Sequence, residues 1–449
     1  MAHWTRKSYT NVKVQLLGVG VTPYTLAAMD SAFMFTYAGG SFITGMLGDN
    51  FSPVTIIAIG LLGSSAVLLL MVFGASTSIA STAGLCAIYF TSIQAIHGFF
   101  QATGGPVNTV IVNNWWPKEG RGKVFGFWTC HQYVGDIIAA FASAYILGSS
   151  LDWRYAIIIP LVLNGLWSIM NFMCVPNDPS EFEDNNVNST SGLVGSANAP
   201  DEDDKPIGFC EAFSVPNVAG YALAFGFFKL INYAMFFQLP FILAANFDPA
   251  TSNIISSLYS FGMMPGGIVC GWVSDVFGAR RACVCAFMMS ILMPLMIFFG
   301  YFMDSMRVEL LLPLLMIMGC LVGGPNNIIT SAVAADLAET VSGKACGTIT
   351  GIINGSGSVT AAFGQMLIPI LYDYGKARGV GYRYVWFFLV LCAILGNLLM
   401  LPKIIKEISQ DTDPQSTKKG YQSIGVELKN APPRTQLDTG TQRRGIHSV

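Results

Sequence analysis

The sequence is short of charge. Lys, Arg, Asp and Glu make up 11% of its 449 residues, against about 25% in a soluble domain. So few charges cannot coat a water-facing surface, and most of the outer surface must face lipid. Basic residues are sparse through the body and the net charge is −2, which leaves nothing to hold a nucleic acid. The opening residues MAHWTRKSYTNVK lack an apolar h-region, so no signal peptide is expected. Metal-ligand spacing is missing as well. The ten cysteines lie mostly inside apolar runs, without a C-x-x-C pair, and read as small buried hydrophobes. No Ser/His/Asp set, metal cluster or nucleotide motif is legible, so neither an enzyme nor a cofactor is expected.

What the sequence has in excess is apolar length. Hydrophobic residues reach 53%. Apolar segments run at about 24–48, 54–74, 84–112, 123–148, 154–175, 215–245, 252–274, 282–302, 309–335, 346–372 and 383–402. A bilayer core of roughly 30 Å needs ~20 helical residues. Each backbone must satisfy its own hydrogen bonds in lipid, so all eleven are expected to be helices. The run from Val215 to Ala245 holds one charge, Lys229, near its middle. A lysine at that depth costs a few kcal/mol, and by default it marks a ligand path. The bland alternative is a lysine that snorkels or pairs with an acid on a neighbouring helix.

Two polar stretches punctuate the chain. Residues 176–211 are acidic and rich in Ser, Asn and Gly, and read as a linker. Residues 403–449 read as a disordered tail. They separate an N-terminal bundle, 1–175, from a C-terminal one, 212–402. The two bundles repeat. Gly45-Met-Leu-Gly-Asp49 matches Gly271-Trp-Val-Ser-Asp275, Gly105-Pro106 matches Gly324-Pro325, and Gly122-Lys123 matches Gly343-Lys344, all at nearly one offset. Such repeats are a transporter signature. The second bundle has six spans and the first five, so symmetry asks for one more before residue 24. Residues 1–15 are read as the C-terminal part of that truncated helix. The basic residues Lys118, Arg121, Lys123, Arg280, Arg281 and Lys344 put linker and tail in the cytoplasm.

Gly271-x-x-x-Asp275-x-x-Gly278-x-Arg280-Arg281 lies between two spans. Its glycines permit a tight turn, and its charges can form a network at a helix end. Other runs stand out: Arg6-Lys7-Ser8-Tyr9, Asp30 with Tyr37-Ala38, Gln101-x-x-Gly-Gly-Pro106, Trp128-Thr-Cys-His131-x-x-Val-Gly135, Lys229-Leu-Ile-x-Tyr233 and Gly323-Gly-Pro325. On these motifs, from His3 to about Pro402, the chain resembles the sugar-phosphate/phosphate exchangers of the major facilitator superfamily. They include the glycerol-3-phosphate and glucose-6-phosphate translocators.

The resemblance implies an all-α membrane protein of the major facilitator fold, with two pseudo-symmetric six-helix bundles. It implies a monomeric secondary transporter that exchanges a phosphate ester for inorganic phosphate, in the endoplasmic reticulum or another endomembrane. Arg6 and Lys229 would hold the phosphoryl group between the halves. His131, Tyr37, Asn108 and Asn354 would line the site, with Asn326 a further candidate. Asp49, Gly271, Asp275, Arg280 and Arg281 would gate it without touching the ligand. A phosphate ester carries about −1.5 to −2 charges near neutral pH, which suits two cations. Two rival readings stand beside this one. One is a proton-coupled symporter for another anion or sugar, with Asp30 or Asp136 as carrier. The other is a transport-dead sensor of phosphate esters.

Overall fold

The computed structural model describes residues 1–76, 83–116, 121–178, 207–278, 280–303, 306–341 and 345–409. Most of the expected linker, the tail from 410, and the turns holding Lys118 and Lys344 lie outside these residues. Among the described residues the regular structure is helical throughout, without a strand. Contacts gather Met1–Leu401 into one compact unit, and a second unit starts at Pro402.

The first span is the most polar. It comprises α1 (Ala2–Asn11) and α2 (Lys13–Gly18), parted at Val12. Arg6, Lys7, Ser8, Thr10, Asn11 and Lys13 on it are all buried. A helix with this composition is stable in a membrane protein only when other helices surround it.

The next spans are α3 (Pro23–Asn50), α4 (Pro53–Ala75), α5 (Ala83–Gln101), α6 (Pro106–Trp115), α7 (Arg121–Leu147) and α8 (Tyr155–Cys174). A short helix, α9 (Phe209–Ser214), leads into α10 (Val218–Leu243), α11 (Pro249–Val276), α12 (Arg281–Phe302) and α13 (Val308–Ile328). After a wide turn at Ile329–Val333 come α14 (Ala334–Glu339), α15 (Cys346–Ala377) and α16 (Arg383–Ser409). Three of these helices start in the same way. Thr22, Ser52 and Asp248 each cap the backbone ahead of a proline at the first helical position. The side chain satisfies N–H groups of the first turn, and proline gives up only an N–H that had no partner.

Every one of the eleven expected segments falls on a helix. Seven stretches among the described residues are long and apolar enough to cross a membrane. The central helices α3 and α15 are more polar, because they face each other rather than lipid. They touch over their whole length. Tyr24 donates to Asp373 at one end. Ser31 donates to the carbonyl of Ala362 at 3.0 Å. Further along, a Cβ on Gly45 would stand 2.5 Å from the Gly347 carbonyl oxygen, and one on Gly351 2.6 Å from that of Ser41. Small residues let the two backbones meet where lipid supplies no hydrophobic drive between helices.

The fourth span of each half is interrupted. Between α5 and α6 lies a 3-10 turn, Ala102–Gly104, followed by Gly105 and Pro106. In the second half Pro325 sits inside α13, and the wide turn follows directly on its end. Proline lacks the N–H that would continue the ladder, so the backbone loosens at equivalent places. Such interruptions are tolerated where they line a cavity.

Candidate functional site

The site forms where α1 and α10 come together. Lys229 and Tyr233 are four residues apart and so share one face of α10. Arg6 on α1 donates from Nη1 to Tyr233 OH at 2.7 Å and from Nη2 to Gln101 Oε1 at 3.2 Å. Its Nε has no partner. Lys229 Nζ donates to Asn354 Oδ1 at 2.5 Å, to Ser358 Oγ at 2.7 Å and to the Asn354 carbonyl at 2.9 Å. Asn354 and Ser358 are again four apart, on α15. The Asn354 amide donates onward to Tyr37 OH at 3.3 Å.

Tyr37 on α3 ties the two cations together. The Arg6 guanidinium carbon lies 4.9 Å from its ring centre and the Lys229 ammonium 5.1 Å. An aromatic face attracts a cation without neutralising it. Neither cation touches a carboxylate in the contacts above. Both are buried, as are Lys7 and Lys13. Two carboxylates are buried with them, Asp30 and Asp136. Lys13 pairs with Asp30 at 2.6 Å, and Asp136 faces His3 at 3.2 Å. Among the described residues the buried interior thus holds two more lysine and arginine side chains than carboxylates.

Arg6, Tyr37, Lys229, Tyr233 and Asn354 line one cavity of about 110 Å³. Asn108, His131, Asp136 and Asn326 also face it. All six expected binding residues therefore meet at one void. His131 is exposed to it, and its Nδ1 lies 2.5 Å from the Trp128 carbonyl. The Asn108 amide donates to the carbonyl of Gly104 at 2.6 Å, where the helix is interrupted.

The expected gate residues lie away from the cavity, at the end where α3 gives way to α4. There Ser52 donates to Asn177, close to where the expected linker starts. Asp49 accepts the Gly347 N–H at 3.1 Å, the Thr348 N–H at 2.8 Å and the Thr348 hydroxyl at 2.7 Å. A carboxylate from the first half thus caps the N-terminus of α15 in the second, where the helix dipole favours it. The second copy is built differently. Arg281 reaches Asp336 at 3.1 Å, while Asp275 is exposed. Gly271 packs its bare Cα near Ile328.

The profile of the Major Facilitator Superfamily matches residues 8–248 and 218–433. The chain belongs to that superfamily. Among its relatives is "Sugar phosphate exchanger 3" of Mus musculus, 31% identical over 85% of this chain and 80% of the relative. Another is "Putative glycerol-3-phosphate transporter 1" of Arabidopsis thaliana, 30% identical over 86% of this chain and 76% of the relative. The solved structure of the proton:xylose symporter XylE bound to 6-bromo-6-deoxy-D-glucose superposes with a TM-score of 0.66, covering 90% of this chain and 93% of that one. Its 14% identity establishes the shared fold alone. This major facilitator protein is therefore a multi-pass integral membrane protein.

Further residues of the facilitator line the cavity beyond the six expected: Tyr233, Gln101, His3 and Asp136. Tyr233 and Gln101 stand in the runs that carry the resemblance, and Asp136 is the carrier of the proton-coupled reading. The contacts Gln101–Arg6 and His3–Asp136 join different helices, which spacing along one helix does not signal.

Proposed function

We propose that the protein exchanges a phosphorylated small molecule, a sugar phosphate or glycerol phosphate, for inorganic phosphate by alternating access. One observation carries the reading. Arg6 and Lys229, from the first and seventh spans, face the same cavity, and the contacts that hold them are neutral. Two desolvated cations repel each other in an empty site. A dianion between them relieves that repulsion and lets the cavity close around it. Both exchanged ligands share the phosphoryl group, so no second ion is required. The names of the relatives support the same substrate class.

In this reading 1–175 and 212–402 are the two bundles that rock about the site, in a single chain acting alone. Residues 176–211 are the cytoplasmic linker and 403–449 the tail. Asp49 and the Gly271–Arg281 turn latch the linker end. The family resemblance supports an endomembrane location, with the endoplasmic reticulum first. Imaging of the tagged protein against an endoplasmic reticulum marker checks it.

The central test is counterflow in proteoliposomes loaded with phosphate. Labelled phosphate should enter with wild-type protein and fail to enter with Lys229→Ala. Undiminished exchange in that variant sinks the proposal. Uptake that needs no internal phosphate but accelerates on acidification would favour the proton-coupled alternative.

A further inference from the structure

The two halves share a Gly-Gly-Pro run, Gly104-Gly105-Pro106 and Gly323-Gly324-Pro325. In the second half packing demands both glycines. A Cβ on Gly323 would stand 2.6 Å from the carbonyl oxygen of Met263, and one on Gly324 2.6 Å from the Met288 side chain. Their role is close helix contact.

The first-half run is packed more loosely. A Cβ on Gly104 would meet nothing within 4 Å. One on Gly105 would meet only the Asn354 amide nitrogen at 3.1 Å and Tyr37 OH at 3.5 Å. The backbone does not require glycine either. Gly105 has φ −82°, and neither residue is left-handed. What the two share is their place in the cavity wall, beside Asn108, Trp128 and His131. Repeat symmetry preserves the same three residues in two places, and at Gly104 no steric reason for glycine remains. That position leaves open volume in the wall of the cavity that Arg6 and Lys229 also line.

We propose that Gly104 and Gly105 set the size limit for the part of the ligand that is not phosphate, and that the room they leave takes a pyranose-sized polyol. This deepens the exchange reading above and rests on it. The phosphoryl group sits at Arg6 and Lys229, and the sugar ring lies across the bare backbone of Gly104. Trp128, whose ring centre is 4.7 Å from that of His131, offers an aromatic wall to the C–H face of the ring. Asn108 and His131 offer polar atoms to its hydroxyls. A three-carbon ester would enter the same site and leave this room unfilled.

The test uses full-length protein in phosphate-loaded vesicles, wild type against Gly104→Leu. Exchange of a hexose 6-phosphate and of glycerol 3-phosphate is each divided by phosphate exchange on the same preparation. The leucine should lower the hexose ratio about tenfold or more and the glycerol ratio by about twofold at most. A hexose ratio that stays at the wild-type value, or two ratios that fall together, overturns the proposal. Should Gly104→Leu exchange nothing, Gly104→Ala adds one carbon into open space and the same ratios decide. Wild-type vesicles that exchange no phosphate overturn the parent reading, and this one with it.

Discussion

Arg6 and Lys229 carry the same charge and are held by different chemistry. Lys229 offers one ammonium to a cluster on α15, centred on Asn354 and Ser358. Arg6 forks between Tyr233 and Gln101. An ammonium is a point donor and cannot span both partners. Arg6→Lys should therefore raise the KM for phosphate by roughly tenfold despite keeping the charge, as read from exchange at graded phosphate concentrations. Tyr233→Phe removes one hydrogen bond from Arg6, about 1 kcal/mol, and should weaken phosphate about fivefold in the same assay. Tyr233 and Gln101 both stand in runs that carry the resemblance. That they meet at Arg6 was not legible, since each reaches it from another span. Arg6 itself reads as an ordinary basic residue near a terminus, and only the family resemblance singled it out.

At the scale of helices, the proposed gate rests on the contact between α3 and α15. Asp49 caps α15 with two backbone bonds and one hydroxyl bond. Asp49→Ala should cost about 1 kcal/mol of that closure. The expected readout is faster alkylation of a cysteine placed at Asn108, since the linker end opens more often. An unchanged rate would mean that the cap does not hold the gate. The neighbouring glycines act through shape. A Cβ on Gly347 would press on the Gly45 carbonyl at 2.7 Å. Gly347→Leu should destabilise the protein by roughly 1–3 kcal/mol, seen as a lower midpoint of thermal unfolding in detergent. The Gly-x-x-x-Asp pattern was visible in both halves of the sequence. That Asp49 makes the cross-half contact while Asp275 is exposed was not, because the two copies meet different neighbours.

At the scale of the whole molecule, the interior is richer in basic side chains than in acidic ones. Among the described residues four buried lysine and arginine side chains stand against two buried carboxylates. A ligand with two negative charges balances the account, and one with a single charge leaves a cation unmet. Glycerol 3-phosphate should therefore compete with labelled phosphate better than a glycerophosphodiester. The difference is about 1.5–3 kcal/mol, roughly tenfold or more in the inhibition constant. The same balance sets a pH dependence in the ligand. A phosphate ester gains its second charge near pH ~6, so exchange should fall as the pH drops through that value. A flat profile across it would show that the monoanion is carried equally well.

Composition and local pattern alone determined that the chain is an all-helical membrane protein. They also determined where its apolar spans lie and that Lys229 is out of place among them. Those properties follow from the fit of each segment to lipid, which depends on near neighbours in the chain. The tertiary structure decided the rest. It made a buried helix of the polar run around Arg6, laid Tyr37 between two cations, and left Gly104 beside open space while packing Gly323 tightly. Each of these depends on which helices meet, at what depth and with which faces. Long-range packing settles that, and residue spacing along one helix does not encode it.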